Sequence, residues 1–407
     1  MGKKSKIAVL TEKTIPESPG KFSDKSIECI ESLLERTLSL ILDFPSMIKG
    51  KSVFIKPNLV RPNLTVLPAI TTDPRVVLAL TRLTIKSGAE KVMVGDIPGY
   101  KVNSRDALKL SNLTENIEAL GAIPFFLDED EIIEIPNPKG TVLKKLKLPS
   151  SVMKADVFIN VPKLKTHMHT MVSLGIKNLH GLILDEQRLM YHRQDINHKV
   201  VDILHAILPH ITIIDGIWAL EGQAPLHGNA VKDFNTIIAG ENINAVDAVG
   251  TYLMGIEPDE IATCRIAARQ GFGSYQIDDI QIEGNDIDLI RMYFKRPVLS
   301  SAGVFENVNA IEGGVCSGCL SALRHSLDRL EFEGKLEKLP PITVYTGIPM
   351  PNTTSLDSWE GDLFCLGNCA STLVLKQDHL GKPAAFVPGC APHVLDLRHL
   401  LVEKYNL

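Results

Sequence analysis

Short β-branched runs alternate with longer stretches of helical periodicity through the first half of the chain. Lys6 to Leu10 predicts a strand, and Asp24 to Leu42 predicts a helix with Ile27, Ile30, Leu33, Leu34, Leu38 and Ile41 on one face. Lys51 to Lys56 is a second strand. Thr72 or Asp73 can cap a following helix whose Pro74 sits in the first turn and which ends near Gly88. Lys91 to Gly95 predicts a third strand, Ser104 to Leu120 a helix and Ile123 to Leu127 a fourth strand. Strand-helix-strand alternation of this kind argues for a doubly wound α/β sheet, large, mixed and mostly parallel.

The period changes between residues 131 and 148, where Glu131 to Ile135 and Thr141 to Leu148 flank Pro136, Asn137, Pro138 and Gly140, the pattern of an inserted edge hairpin. Alternation resumes with strand Asp156 to Val161, helices near 170–183 and 197–208, strands Ile211 to Ile214 and Asn235 to Ala239, and a helix from about Asn244 to Met254. After a linker at Arg296 and Pro297 comes a smaller α/β unit. It has a helix pattern from Leu320 to Leu330, strands Ile342 to Thr346, Asp362 to Leu366 and Ala384 to Val387, and a closing helix from Val394 to Lys404. The expected division is therefore 1–297, a large α/β domain carrying the hairpin, and 298–407, a C-terminal α/β domain.

A length of 407 residues with 44% apolar and 22% charged side chains suits two or three globular domains and excludes a disordered or fibrous chain. The formal charge of -5 leaves no overall basic footprint, so nucleic acid is not an expected partner and any anion site must be local. No apolar run reaches membrane-spanning length, and the first residues lack a signal-peptide core, so a cytoplasmic protein with no membrane partner is expected.

Five of the seven cysteines, Cys316, Cys319, Cys365, Cys369 and Cys390, fall in the last quarter of the chain. In a reducing compartment such clustering points to metal or redox chemistry rather than disulfides. Cys316 and Cys319 form a C-x-x-C at a helix start; Cys369 and Cys390 each follow a predicted strand, with glycine one or two residues before them. Carboxyl ends of parallel strands collect ligands, so these four thiolates can meet. An iron-sulfur cluster is the leading reading, since nearby backbone N–H groups tune such clusters; zinc and a ligand-free buried set stay open. Cys365, inside Leu363-Phe364-Cys365-Leu366, reads as a buried inert thiol, as do Cys29 and Cys264. The order C-x-x-C, G-x-C-A, P-G-C-x-P over about residues 310–395 resembles the proximal-cluster domain of nickel-iron hydrogenase small subunits and the related subunit of respiratory complex I. That resemblance implies a flavodoxin-like fold and a [4Fe-4S] cluster on Cys316, Cys319, Cys369 and Cys390. His393 replaces the second proline of the pattern and could donate to sulfur or relay a proton.

Polar chemistry is densest after strand 156–161. Lys163, Lys165 and His167 alternate in an extended segment and so share one face, ahead of a helix carrying Lys177, Asn178 and His180. This reads as an anion site, with a solvated basic loop as the bland alternative. His167, His169 and His180 could bind a metal, but no carboxylate completes a known signature. A general acid-base role for His167 or His169, with Lys165, is the simpler expectation. Other strand ends add Lys56 and Asn58, Asp96, Asp215 and Glu221, each also compatible with an ordinary turn. Asp247 could reach the same cleft or bond to backbone. No Walker loop, no G-x-G-x-x-G after the first strand and no G-x-S-x-G occurs, which counts against nucleotide hydrolysis, simple NAD-dependent hydride transfer and serine hydrolysis.

Lys56-Pro57-Asn58, Thr72-Asp73-Pro74, Gly95-Asp96, Pro162 to His167, Lys177-Asn178, Asp215-Gly216 and Asp247 with Gly255 together resemble, in order over about residues 50–260, the family known as domain of unknown function 362. The resemblance implies a fold and a redox association and supplies no substrate. The expectation is an iron-sulfur oxidoreductase of anaerobic metabolism. It would pass electrons through a [4Fe-4S] cluster to a small anionic substrate or cofactor, with a redox partner such as ferredoxin; a homodimer is compatible with the chain. The alternatives are a non-redox racemase or isomerase of a small hydroxy or amino acid with a structural cluster, or an electron-transfer or cluster-assembly partner without its own substrate. Lactate racemase-like proteins share a comparable multi-domain plan, although no lysine-tethered cofactor motif is visible here.

Overall fold

A computed structural model of the chain describes residues 4–60, 69–99, 102–190, 196–225, 227–298, 305–350, 361–379, 383–393 and 395–407. The chain divides into two units, Met1–Gln187 with Asn197–Pro297, and Arg188–Ile196 with Val298–Leu407.

In the first unit the apolar runs form strands β1 (Ser5–Thr11), β2 (Ser52–Lys56), β3 (Lys91–Val94), β4 (Ile123–Pro124), β5 (Ile132–Pro136), β6 (Lys145–Pro149), β7 (Val157–Asn160), β8 (Lys163–His167), β9 (Met171–Ser173), β10 (Ile211–Gln223), β11 (His227–Val231), β12 (Thr236–Gly240) and β13 (Ile280–Gly284). The main sheet runs β13-β1-β12-β10-β7-β2-β3-β4, with β8, β9 and β11 joined to β10 or to one another. The stretch from β10 to β4 is parallel throughout, and β12 is antiparallel to both its neighbours, so the sheet is mixed.

Successive strand residues face opposite sides, and both sides are covered. Ile213, Ile237 and Ala239 join a core with Leu33, Leu34 and Leu38 of the helix Asp24–Ser39 and with Val77 and Leu80 of Pro74–Lys86. Their neighbours Ile214 and Ile238 point the other way, onto Val246, Val249 and Leu253 of the helix Ile243–Leu253. This two-sided burial is the doubly wound arrangement.

Several expected elements differ. The helix from Asp24 stops at Ser39, because Ile41 and Leu42 turn back onto the Leu38 carbonyl and Asp43 then caps a separate short helix, Phe44–Ile48. Ser104 to Leu120 is two helices, Ser104–Leu110 and Thr114–Ala119, parted by Asn112 at φ 56° in the left-handed region. The fourth strand is only Ile123–Pro124. The 131–148 segment forms its own two-stranded antiparallel sheet, β5 with β6, rather than an edge of the main one. Residues 171–173 form strand β9 instead of beginning a helix, and the helix near 170–183 shrinks to Gly175–Asn178 and a 3-10 turn, Leu179–Leu182. Strand β10 runs 13 residues, so Asp215 and Glu221 lie within a strand instead of after one.

Among the described residues the second unit holds four parallel strands, β14 (Val308–Glu312), β15 (Ile342–Thr346), β16 (Asp362–Leu366) and β17 (Ala385–Val387), in sequential order. It is α/β, but among the described residues its strand order lacks the reversal of a flavodoxin-like sheet. The helix Ser317–Phe332 begins two residues ahead of Cys319. The closing helix is Asp396–Tyr405, and its expected first residue, Val394, lies outside the described residues. Among the described residues no helix is long and apolar enough to cross a membrane.

Candidate functional site

The lysines that the sequence places at strand ends are buried rather than lining a solvated cleft. Lys56, Lys163 and Lys165 have 0, 0 and 1% exposure, and a charge so placed is costly unless paired. Lys56, last residue of β2, meets Asp96 after β3 at 2.6 Å. Lys163, first residue of β8, lies in register with Asp215 of the parallel strand β10 and meets its carboxylate at 2.9 Å. That carboxylate also accepts the N–H groups of Asp73 at 2.7 Å and Ile217 at 2.9 Å. Burial pushes the Asp215 carboxyl up while Lys163 and the Asp73 N–H pull it down. Asp73 in turn caps the helix Pro74–Lys86 and holds Arg75 through a bidentate pair, fully buried on both sides.

Lys165, two residues on from Lys163, has a different partnership. Its Nζ donates to two neutral oxygens, Asn58 Oδ1 at 2.6 Å and the Ile70 carbonyl at 2.9 Å. Burial first, then Lys177, Lys163 and Lys56, hold its amine down to about 7, with Asp96 opposing. Asn58 continues as a row of amides: its Nδ2 donates to Asn178 Oδ1 (3.0 Å), Asn178 Nδ2 to Asn160 Oδ1 (2.9 Å), and Asn160 Nδ2 to the Gly175 carbonyl (3.0 Å). The Gly175 N–H donates to Asp247 Oδ1 at 2.6 Å and the Ile176 N–H to Asp247 Oδ2 at 2.9 Å. Asp247 therefore serves backbone, and burial pushes its carboxyl up to about 7 against those two donors.

The segment Gly175–Leu182 closes over this network. Gly181 lies so near the Lys56–Asp96 pair that a Cβ there would strike both the carboxylate and the ammonium, and its carbonyl accepts the Ile97 N–H. Lys177 and His180 on the same segment are half-buried, so the cluster approaches solvent along it.

The remaining expected residues take other positions. His167 ends β8; its Nδ1 accepts the His169 N–H at 3.1 Å and the two rings stand 5.6 Å apart. Glu221, inside β10, accepts the Lys295 N–H at 2.7 Å. Three participants were not singled out from sequence as site residues: Asp73, Arg75 and Asn160. Thr72-Asp73-Pro74-Arg75, a cap and a charge at a helix start, was the available signal for the first two.

The low position of the Lys165 amine has a measurable consequence. An unfolded lysine keeps its proton to about pH 10.4, so between about 7 and 10 the unfolded state binds a proton that the folded state does not. Stability therefore rises with pH across that window, by up to about 1.4 kcal/mol per unit. The difference in urea midpoint between wild type and Lys165→Met should carry this slope; a difference that is flat from pH 7 to 10 would refute the reading.

In the second unit, Cys316 caps the helix Ser317–Phe332 and Cys319 lies in its first turn. The neighbouring Cys319 thiol and the N–H groups of Cys319 and Gly318 hold the Cys316 thiol down to about 5, against its burial; Cys319 is pushed up by the same contact. Cys369 sits in the turn Asn368–Ala370 after β16, and Cys390 after β17. Asn368 ties these two loops: its N–H donates to the Gly389 carbonyl at 2.9 Å, and its Oδ1 accepts the Gly389 N–H at 2.7 Å. Gly367, at φ 89°, is where the three loops meet, because a Cβ there would lie 2.7 Å from Cys319 Sγ, 3.7 Å from the Gly389 carbonyl oxygen and 3.8 Å from Pro392. Soft thiol donors on glycine-lined loops, with the Gly318 and Cys319 N–H groups directed at the Cys316 sulfur, fit a thiolate-ligated iron-sulfur group. Among the described residues, no three His, Cys, Asp or Glu side chains stand together as a ready ion site. Cys365 is fully buried in β16 and pushed up to about 12 by burial. His393 accepts the Leu395 N–H on Nδ1 and so has a part in the chain turn before the last helix.

Among solved structures, the lactate racemase apoprotein from Thermoanaerobacterium thermosaccharolyticum aligns at 12% identity, covering 78% of this chain and 67% of that one, with a TM-score of 0.37. A thylakoid-associated protein of Synechocystis sp. is 31% identical over 232 residues, which are 54% of this chain and 68% of that protein. Residues 53–252, which contain the whole buried lysine network, match the family described as domain of unknown function (DUF362), and the chain belongs to that family.

Proposed function

We propose that the protein is an iron-sulfur oxidoreductase. In this reading Cys316, Cys319, Cys369 and Cys390 hold a [4Fe-4S] cluster in one unit, and the lysine network of the other takes a small anionic substrate. The observation that carries the proposal is the meeting of the three cysteine loops at Gly367, with Cys319 Sγ against that glycine and Asn368 joining the Cys369 and Cys390 loops. When bound, such a cluster supplies single electrons, delivered by a ferredoxin-like carrier.

The chain's own residues do the rest. Lys177 and His180, on the solvent side, meet the anion first. Lys56 and Lys163 are fixed by Asp96 and Asp215, so they offer prepositioned N–H donors without having to reorganise. Lys165 takes or gives a proton at Nζ near neutral pH, where a catalytic base is most effective.

Purified without oxygen, the protein should carry about four iron and about four sulfide per chain. Cys369→Ser should lose most of both while keeping its circular dichroism. Stoichiometric zinc without sulfide would overturn the proposal.

A second reading is favoured by Lys165 alone: proton exchange at a carbon of a small hydroxy or amino acid, as in a racemase or isomerase, with the cluster only structural. Turnover that survives cluster removal would select it.

A further inference from the structure

Lys165 is a different kind of lysine from its neighbours. Lys56 and Lys163 each face a carboxylate, whereas among the described residues the two acceptors of the Lys165 Nζ are uncharged oxygens. An ammonium has three N–H donors and no lone pair; a neutral amine has two donors and one lone pair. Two acceptors, at 2.6 and 2.9 Å, use the donors of the neutral form and leave its lone pair unspent. A third N–H would sit fully buried among Lys56 of β2, Lys163 of β8 and Lys177 of the covering segment, with Asp96 after β3 as the compensating charge. Asn58 cannot turn its NH2 toward the amine without breaking the amide row, because its Nδ2 is committed to Asn178. The geometry thus holds a desolvated nitrogen with other lysines as its neighbours, the arrangement that activates lysine toward carbonyl carbon.

We propose that Lys165 forms an imine with a small 2-oxo carboxylate, whose carboxylate is drawn by Lys177. The inference rests on the reading that this network takes a small anion and is independent of the iron-sulfur cluster. The Lys165 lone pair attacks the carbonyl carbon and the C=O π pair moves to oxygen. After proton transfers within the adduct and uptake of one proton from solvent, that oxygen leaves as water. The product is an iminium, C=N–H⁺, with no net oxidation. In this proposal the acid would come from the side of the half-buried Lys177 and His180.

The test uses the full chain with pyruvate and sodium cyanoborohydride at pH 7, followed by digestion and mass spectrometry. Hydride reduces the iminium to a stable secondary amine and marks the lysine that formed it. Lys145 and Lys154, with side chains 67 and 68% exposed, are internal references. The expected result is modification of Lys165 at least about 10-fold faster than either, the direction set by its larger neutral fraction at pH 7. Modification of the exposed lysines alone would overturn the imine. Oxalate, an anion that cannot form it, separates the two readings through thermal shift. Stabilisation by oxalate that is lost in Lys177→Gln, without a Lys165 adduct, keeps the anion site and removes the imine; neither effect removes both.

Discussion

Asp215→Ala is expected to destabilise the first unit by about 3–5 kcal/mol, the usual cost of removing one member of a buried pair. The substitution leaves Lys163 as an uncompensated charge at 0% exposure and strips the acceptor from the N–H groups of Asp73 and Ile217. Those are three losses at one carboxylate, and the Asp73 N–H opens the helix Pro74–Lys86. Lys163→Met in the same chain removes the stranded charge, so the double variant should recover part of the loss. Urea unfolding of the two single variants and the double gives the coupling directly. Strictly additive costs would show that the pair does not interact as described.

Asp202→Ala should cost about 3–5 kcal/mol as well, by a different route, since bonds to a charged acceptor contribute about 1.5–3 kcal/mol each and stranded donors add to the loss. Asp202 is fully buried, and its carboxylate accepts three consecutive N–H groups, those of Thr141 at 2.8 Å, Val142 at 2.5 Å and Leu143 at 2.8 Å. Its carbonyl accepts Asn137 Nδ2 at 2.9 Å. One side chain thus anchors the connection between β5 and β6. Asp202→Asn keeps the shape but loses the charge and presents an NH2 to one of the donors, so it should fall between wild type and alanine. Amide exchange of residues 141–143 should accelerate by more than 100-fold in the alanine variant if opening there is released. Unchanged protection of those three amides would remove the anchoring role.

Much of the architecture is legible in local pattern. The helix Asp24–Ser39 buries Ile27, Ile30, Leu33, Leu34 and Leu38 on the face their spacing marks, and Asp73 with Pro74 starts the next helix by cap chemistry alone. Breaks are harder to see. Asn112 ends a helix by adopting a left-handed φ, and nothing in the apolar periodicity of 104–120 separates it from a helical asparagine. The pattern predicts only Ile211 to Ile214 of strand β10, because Asp215-Gly216 and Glu221-Gly222 have turn composition. In the fold, Gly216 instead permits close strand approach, because a Cβ there would lie only 2.7 Å from the Thr236 carbonyl oxygen.

The candidate site divides the same way. Basic residues after strands β2 and β7 mark a charged region, but their partners are far away in sequence. Lys163 meets Asp215 52 residues on, and Lys165 meets Asn58 107 residues back. Single-residue chemistry cannot assign such pairings, because they depend on strand order. For that reason a set of lysines that reads as a solvated anion cleft is in fact interior, two with carboxylates and one without.

The amide row gives those distances a further meaning. Each asparagine in Asn58, Asn178 and Asn160 uses its oxygen toward Lys165 and its nitrogen toward Gly175, so the three side chains have one common sense. Asp247 closes the far end through the Ile176 N–H, which shares its peptide unit with the Gly175 carbonyl. Two groups that titrate near neutrality, Lys165 and Asp247, are thereby joined by a series in which no link can reverse alone. The side-chain NH2 resonances of Asn178, midway along the row, become a built-in spectroscopic reporter of proton occupancy at both ends.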